Sequence, residues 1–151
     1  MVTFRSASVE DLPFLVRLRH ATMRRVVENH IPWNDDEQRQ RVLLHLDCAK
    51  IIVVNGSDAG LWKVIRRDEE IHLCQIQIDQ RHQNKGIGTR LIEALELEAN
   101  QIGMRITLHV YRSNPALGLY RRLGFRIESE DPASLVMAYE PKDTANTGTL
   151  T

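Results

Sequence analysis

The stretch Ile76-Gln77-Ile78-Asp79-Gln80-Arg81-His82-Gln83-Asn84-Lys85-Gly86-Ile87-Gly88-Thr89 has the residue types and spacing best suited to chemistry. It reads as a strand end, a polar loop and a helix start. Glycines let a backbone approach a ligand closely. The first N–H groups of a helix lack intrahelical acceptors and carry partial positive charge, so the two features together form an anion site. Lys85 and Arg81 add full charges, and a phosphate or pyrophosphate is the natural guest. Two kinds of phosphate pattern are absent. Gly86-Ile87-Gly88-Thr89-Arg90-Leu91 has Leu91 where the dinucleotide fingerprint needs its last glycine, and no G-x-x-x-x-G-K-[ST] occurs.

The elements that must position this loop can be read on either side of it. Val2 to Ala7 is a strand candidate. Ser8-Val9-Glu10-Asp11 is a helix start of the S-x-x-D type, and Pro13 places the regular helix near Asp11. Leu12, Leu15, Val16, Met23, Val26 and Val27 form its apolar stripe, and Pro32 ends it. Asn34 caps a second helix whose first turn holds Asp35, Asp36 and Glu37. Ile51 to Val54, followed by Asn55-Gly56, signals a hairpin with a partner strand from Ala59 to Ile65. A charged turn leads into a strand from Ile71 to Asp79. Its apolar phase shifts from Ile71 and Leu73 to Ile76 and Ile78, as a bulge near Cys74-Gln75 would produce; a strand buried on both faces gives the same pattern.

Beyond the loop, Gly86 to Gly103 is predicted helical, with Ile87, Leu91, Leu95, Ala99 and Ile102 apolar. Arg105 to Tyr111 alternates as a strand with Ile106, Leu108 and Val110 on one face. In Arg112-Ser113-Asn114-Pro115-Ala116, Asn114 can cap a short helix and Pro115 suits its first position. Gly124 suits its C′ position, with Arg121 and Arg122 in the last turn. Strands near Phe125 to Ser129 and Ser134 to Tyr139 complete the order β-α-α-β-β-β-α-β-α-β-β, an α+β (mixed α/β) domain on a mixed sheet.

Gln83-Asn84-Lys85-Gly86-Ile87-Gly88 matches Q/R-x-x-G-x-G/A, and Asn114 to Phe125 reads N-P-A-x-x-L-Y-x-x-L-G-F. In these two motifs, in this order with one helix and one strand between them, the chain resembles the GNAT superfamily of N-acetyltransferases over about residues 2 to 140. It departs mildly, with Gln80 where a proline is common and Gln83 in place of arginine. The resemblance implies a central, mostly antiparallel sheet of six to seven strands flanked by about four helices, in a single domain over 1–141; the polar, small-residued composition after Pro141 reads as a disordered tail over 142–151. It implies acetyl-CoA as cosubstrate, with its pyrophosphate held by Gln83, Asn84, Lys85, Gly86, Ile87, Gly88 and Thr89. The backbones of Ile76 and Ile78 would bind the pantetheine and acetyl carbonyl, and Asn114 and Tyr120 would contact the CoA arm.

Transfer of an acetyl group to an amine needs a polarised thioester, a neutral amine and a proton for the leaving thiolate. Tyr120 matches the tyrosine that often protonates the thiolate; the alternative is that it only packs against pantetheine. His72 matches a position where several members carry a base, and with a bulge it would share a face with Gln75 and Gln77. An unperturbed histidine, pKa near 6.5, suits that work. Glu70 and a water chain are the other candidates for the base. Cys74 has no His/Asn partner pattern for an acyl-cysteine route, so direct attack in a ternary complex is expected.

Composition narrows the alternatives. Lys plus Arg equals Asp plus Glu, 20 each, which disfavours nucleic acid as the main ligand. Cys48 and Cys74 read as free thiols of a cytosolic protein, and no Cys/His cluster has metal-ligand spacing. The N-terminus has no signal-peptide core, and no apolar run approaches the roughly 18 residues of a membrane span. The expected compartment is the cytoplasm. The acceptor is a small-molecule or protein amine, and Glu28, His30, Trp33, Asp35 and Asp36 lie in the family's variable acceptor-side region. The favoured alternative makes Glu28 a solvated helix-face charge, Trp33 a core plug, and Asp35 and Asp36 ordinary first-turn acids. By analogy alone, the C-terminal strands would pair in a homodimer. The competing reading is a non-catalytic acyl-CoA-binding sensor, disfavoured by Tyr120, the polar strand face and the single-domain length.

Overall fold

The computed structural model describes residues 1–143. The elements are β1 (Val2–Ser6), α1 (Leu12–Glu28), α2 (Asp35–Leu43), β2 (Ala49–Val54), β3 (Ser57–Arg66), β4 (Glu70–Ile78), α3 (Ile87–Ile102), β5 (Arg105–Tyr111), α4 (Leu117–Arg122), β6 (Arg126–Glu130) and β7 (Ser134–Tyr139). The order is the one the sequence predicts. The seven strands form one sheet in the order β1-β2-β3-β4-β5-β7-β6. β4 and β5 are parallel, whereas β1–β2, β2–β3, β5–β7 and β6–β7 are antiparallel. The expected tail begins at Lys142, whose N–H donates to Asn100 Oδ1 at 2.8 Å; from 144 on, that expectation lies outside the described residues.

Two compact units can be described separately. The first comprises Met1–Ile65 and Cys74–Ile87. Asp11 receives the Ser8 N–H at 2.9 Å, closing the S-x-x-D start, and Asn34 Oδ1 receives the Glu37 N–H at 2.9 Å. Leu12, Leu15 and Leu18 of α1 pack with Val42 of α2 and with Ala49, Ile51 and Leu61 of the sheet. The hairpin turn is Asn55-Gly56, both with positive φ (49° and 83°), the conformation a two-residue loop between right-twisted strands demands. α1 ends at Glu28, four residues before Pro32. The residue before a proline is pushed out of the helical region, and here His30 N–H already turns back to Val27 O at 2.9 Å.

Lys63 is fully buried on β3. Its ammonium donates to the carbonyls of Arg41, Val42 and Leu44, satisfying orphan acceptors at the end of α2. Burial lowers its pKa.

The burial of β4 is irregular. Ile71, Leu73 and Gln77 are the buried positions, and Ile76 and Ile78 are half-buried. The bonds from Arg67 N–H to Glu70 O and from Asp79 N–H to Ala59 O differ by one residue in register, as one extra residue on β4 would produce. A further irregularity lies between β2 and β3, where the register slips between Ile52 and Val53.

The second unit comprises Arg66–Leu73 and the described residues from Gly88 onward. Ile92, Leu95 and Ala99 are the buried residues of α3 in this unit, while Leu91 is only half-buried and Ile102 is 52% exposed. The inward stripe is thus set by Ile92, one residue on from the predicted Leu91. Asn114 does not cap α4 itself. Its Oδ1 holds the Ala116 N–H at 2.9 Å, which fixes the turn from which α4 springs. Gly124, at φ 95°, ends that helix as predicted.

Gly60 sits where a Cβ would meet Gln77 O at 2.3 Å and Ile52 Cδ1 at 3.1 Å. Gly60→Ala should destabilise the protein by about 1–3 kcal/mol, read as a lower denaturation midpoint. An unchanged midpoint would contradict the close β3–β4 packing.

Candidate functional site

In the first unit the site is the end of β4 and the loop that follows. Asp79 N–H donates to Ala59 O at 2.7 Å, tying the strand end to β3. The Asp79 carboxylate accepts the Arg81 N–H at 3.1 Å and its guanidinium at 3.3 Å, contacts that hold this carboxyl below its usual range. A single 3-10 turn, Gln80–His82, results. Gln83 turns back, its Nε2 donating to Ile78 O at 2.8 Å, so this side chain shapes the loop. Asn84 and Gly86 then adopt left-handed backbone, φ 61° and 77°, and α3 begins at Ile87. Gln83, Asn84, Lys85 and Gly86 are exposed, while Ile87 is buried as an anchor.

A Cβ at Gly86 would meet nothing within 4 Å. No neighbouring protein atom therefore requires glycine there, whereas the positive φ does. Left-handed residues beside a helix start turn successive N–H groups outward, a concavity suited to anions. The loop thus fits a pyrophosphate such as that of coenzyme A.

Two polar groups on β4 belong to the polar face that the sequence reading grouped with His72. The Oε1 atoms of Gln75 and Gln77 are buried without a hydrogen-bond partner among the described residues. Gln75 Nε2 donates to Arg41 O at 3.3 Å. The predicted acceptor-side residues are otherwise engaged. Glu28 pairs with Arg24, Trp33 Nε1 donates to Asp35 Oδ1 at 2.8 Å, and Trp33 stands edge-on to His20 at 5.6 Å. Asp35 and Asp36 lie in the first turn of α2.

In the second unit, Gly88 and Thr89 occupy the first turn of α3 and are half-buried. α4 carries Tyr120, which is 5% exposed and packs against Phe125 with ring centroids 6.0 Å apart. Burial pushes its phenol up to about 12. His72 is half-buried on β4, in register with Thr107 of β5. Its Nδ1 lies 2.9 Å from Thr107 Oγ1, and the same hydroxyl donates to Glu70 Oε2. Thr107 was missed by the motif reading; only strand register, which a single sequence does not print, sets it opposite His72. No helix among the described residues is long and apolar enough to cross a membrane.

Glycine loop, helix start, buried tyrosine and parallel β4–β5 pair define an acyltransferase of the GNAT class. The chain belongs to this family: residues 46–127, more than half its length, match the family described as Acetyltransferase (GNAT) domain. It is similar to the L-methionine sulfoximine/L-methionine sulfone acetyltransferase of Pseudomonas aeruginosa, at 28% identity over 146 residues, covering 86% of this chain and 83% of that one. In fold it is similar to the PaiA N-acetyltransferase of Thermoplasma acidophilum, solved with coenzyme A (TM-score 0.71, 15% identity, 93% and 99% of the two chains). An acetyltransferase of Thermus thermophilus is also similar (TM-score 0.71, 19% identity, 93% and 97%).

Because the folded-state value of Tyr120 lies above the ordinary value near 10, ionising it favours the unfolded chain. Its stabilising contribution is complete below about pH 10 and is lost as pH rises towards 12. Comparing tyrosinate absorbance of wild type and Tyr120→Phe should show no Tyr120 step near pH 10. A step there would contradict its burial.

Proposed function

We propose that this acetyltransferase moves the acetyl group of acetyl-CoA to the primary amine of a small molecule, by direct attack in a ternary complex, within one domain over residues 1–141. The observation that carries the reading is the left-handed Asn84–Gly86 loop opening into α3, which offers N–H groups and the Lys85 charge to a pyrophosphate. Acetyl-CoA supplies the activated acetyl thioester. Gln83, Asn84, Lys85, Gly86, Ile87, Gly88 and Thr89 would hold its phosphates, the backbones of Ile76 and Ile78 its pantetheine, and Asn114 the turn before α4.

His72 accepts the proton that the attacking nitrogen releases. As the carbon–sulfur bond breaks, Tyr120 gives its phenolic proton to the sulfur. Its burial supports this role, because a phenol at about 12 stays protonated throughout the neutral range. One proton leaves the amine and one reaches the thiol, so the protein returns to its starting state after exchange with solvent.

The likeness to a methionine sulfoximine acetyltransferase supports an α-amino acid derivative as acceptor. The buried amide oxygens of Gln75 and Gln77, which have no partner among the described residues, offer acceptors for the N–H donors of such a molecule.

Two variants separate binding from chemistry. Gly86→Glu should abolish acetyl-CoA binding in calorimetry, since both its φ and its charge oppose a phosphate. Tyr120→Phe should retain binding and lower kcat by about 10²-fold. Unchanged affinity in the first would sink the loop assignment, and full turnover in the second would reduce Tyr120 to packing.

A further inference from the structure

The chain Glu70–Thr107–His72 is built entirely within the second unit. Its three side chains come from two adjacent parallel strands, with Glu70 opposite Arg105 and His72 opposite Thr107. Thr107 is 6% exposed, and Glu70 and His72 are half-buried, so the hydroxyl between them is shielded from water. We infer that Thr107 is a positioning residue, which couples the Glu70 carboxylate to His72 and holds the imidazole in one tautomer; the inference rests on the reading of His72 as base.

Proton counting fixes the direction. A threonine hydroxyl has one hydrogen, and a carboxylate only accepts. Thr107 Oγ1 gives that hydrogen to Glu70 Oε2. At its 2.9 Å contact with His72 Nδ1 the hydroxyl oxygen must therefore accept, and Nδ1 must carry the ring proton. The neutral ring then has its lone pair on Nε2, the nitrogen on the far side from Thr107. A base held in this way resembles one whose second nitrogen is fixed by a carboxylate, here with a hydroxyl interposed. The arrangement also accounts for a buried hydroxyl among the apolar residues of β5: Ile106, Leu108 and Val110 pack, whereas Thr107 transmits.

The test reads the ring nitrogens directly. With 15N-labelled histidine, at a pH where His72 is neutral, wild type should show Nδ1 protonated and Nε2 of the pyridine type, assigned by the signal missing in His72→Gln. Thr107→Val should lose that preference, populating the Nε2–H form, and Thr107→Ser should restore it. In parallel, kcat/KM should fall by roughly 10²-fold in Thr107→Val and recover in Thr107→Ser. A wild-type Nε2–H tautomer, or a Thr107→Val spectrum and turnover like those of wild type, would overturn the inference. The wild-type spectrum alone decides the tautomer if Thr107→Val fails to fold. Undiminished turnover in His72→Ala would overturn the reading of His72 as base, a failure that the tautomer measurement does not share.

Discussion

β4 and β5 run parallel, and a parallel pair cannot be closed by a turn. The chain must leave the end of β4, travel back along the sheet and enter β5 in the same direction, a crossing of a dozen or more residues that is usually a helix. α3, Ile87–Ile102, is that helix. Chain direction then requires that its N-terminus follow the carboxyl end of β4, with the loop from Asp79 to Gly86 between them. One parallel pair in a largely antiparallel sheet thus puts outward-facing N–H groups directly after the strand that carries Ile76 and Ile78. The glycine in the loop answers to backbone conformation, since Gly86 has a positive φ and no neighbour that a Cβ would strike.

The same pair brings acid–base groups together by register. Glu70 and His72 lie two residues apart on β4 and therefore share a face, and parallel pairing sets Thr107 beside them. Tyr120 is handled differently. A six-residue helix, started by the Asn114 turn and stopped at Gly124, buries the phenol against Phe125. Burial, with no charged partner invoked, keeps the proton on the oxygen. Positioning by strand register and protonation by desolvation are two independent physical devices, and the proposed chemistry uses both.

Much of this was legible in the sequence for physical reasons. Asn55-Gly56 specified a two-residue turn, Ser8 to Asp11 and Asn34 specified helix starts, and Gly86 and Gly124 marked positive φ. What was illegible depended on neighbours distant in sequence. The burial along β4 was hard to read, because Gln77 is buried and Ile76 and Ile78 are only half-buried, contrary to their polarity. The stripe of α3 was displaced to Ile92 because the sheet beneath decides which face is inward. Thr107 looked like an ordinary strand residue, since its importance lies wholly in what it stands beside. Lys63 likewise gave no signal, because its partners are backbone carbonyls at the end of another element.

The acceptor region follows from similar considerations. Trp33, Glu28, Asp35 and Asp36, the residues whose chemistry suggested amine recognition, are engaged in ion pairs, ring contacts or a helix start. Gln75 and Gln77 instead have buried amide oxygens without a donor among the described residues. The central claim, acetyl transfer to a small amine, is tested most directly by calorimetric titration with acetyl-CoA coupled to thiol release over a panel of amines that includes methionine sulfoximine. Stoichiometric binding, with thiol released for one class of α-amino acid derivative, is the predicted result. Binding without release from any amine would contradict the catalytic role and favour an acyl-CoA sensor, and no binding would contradict the site itself.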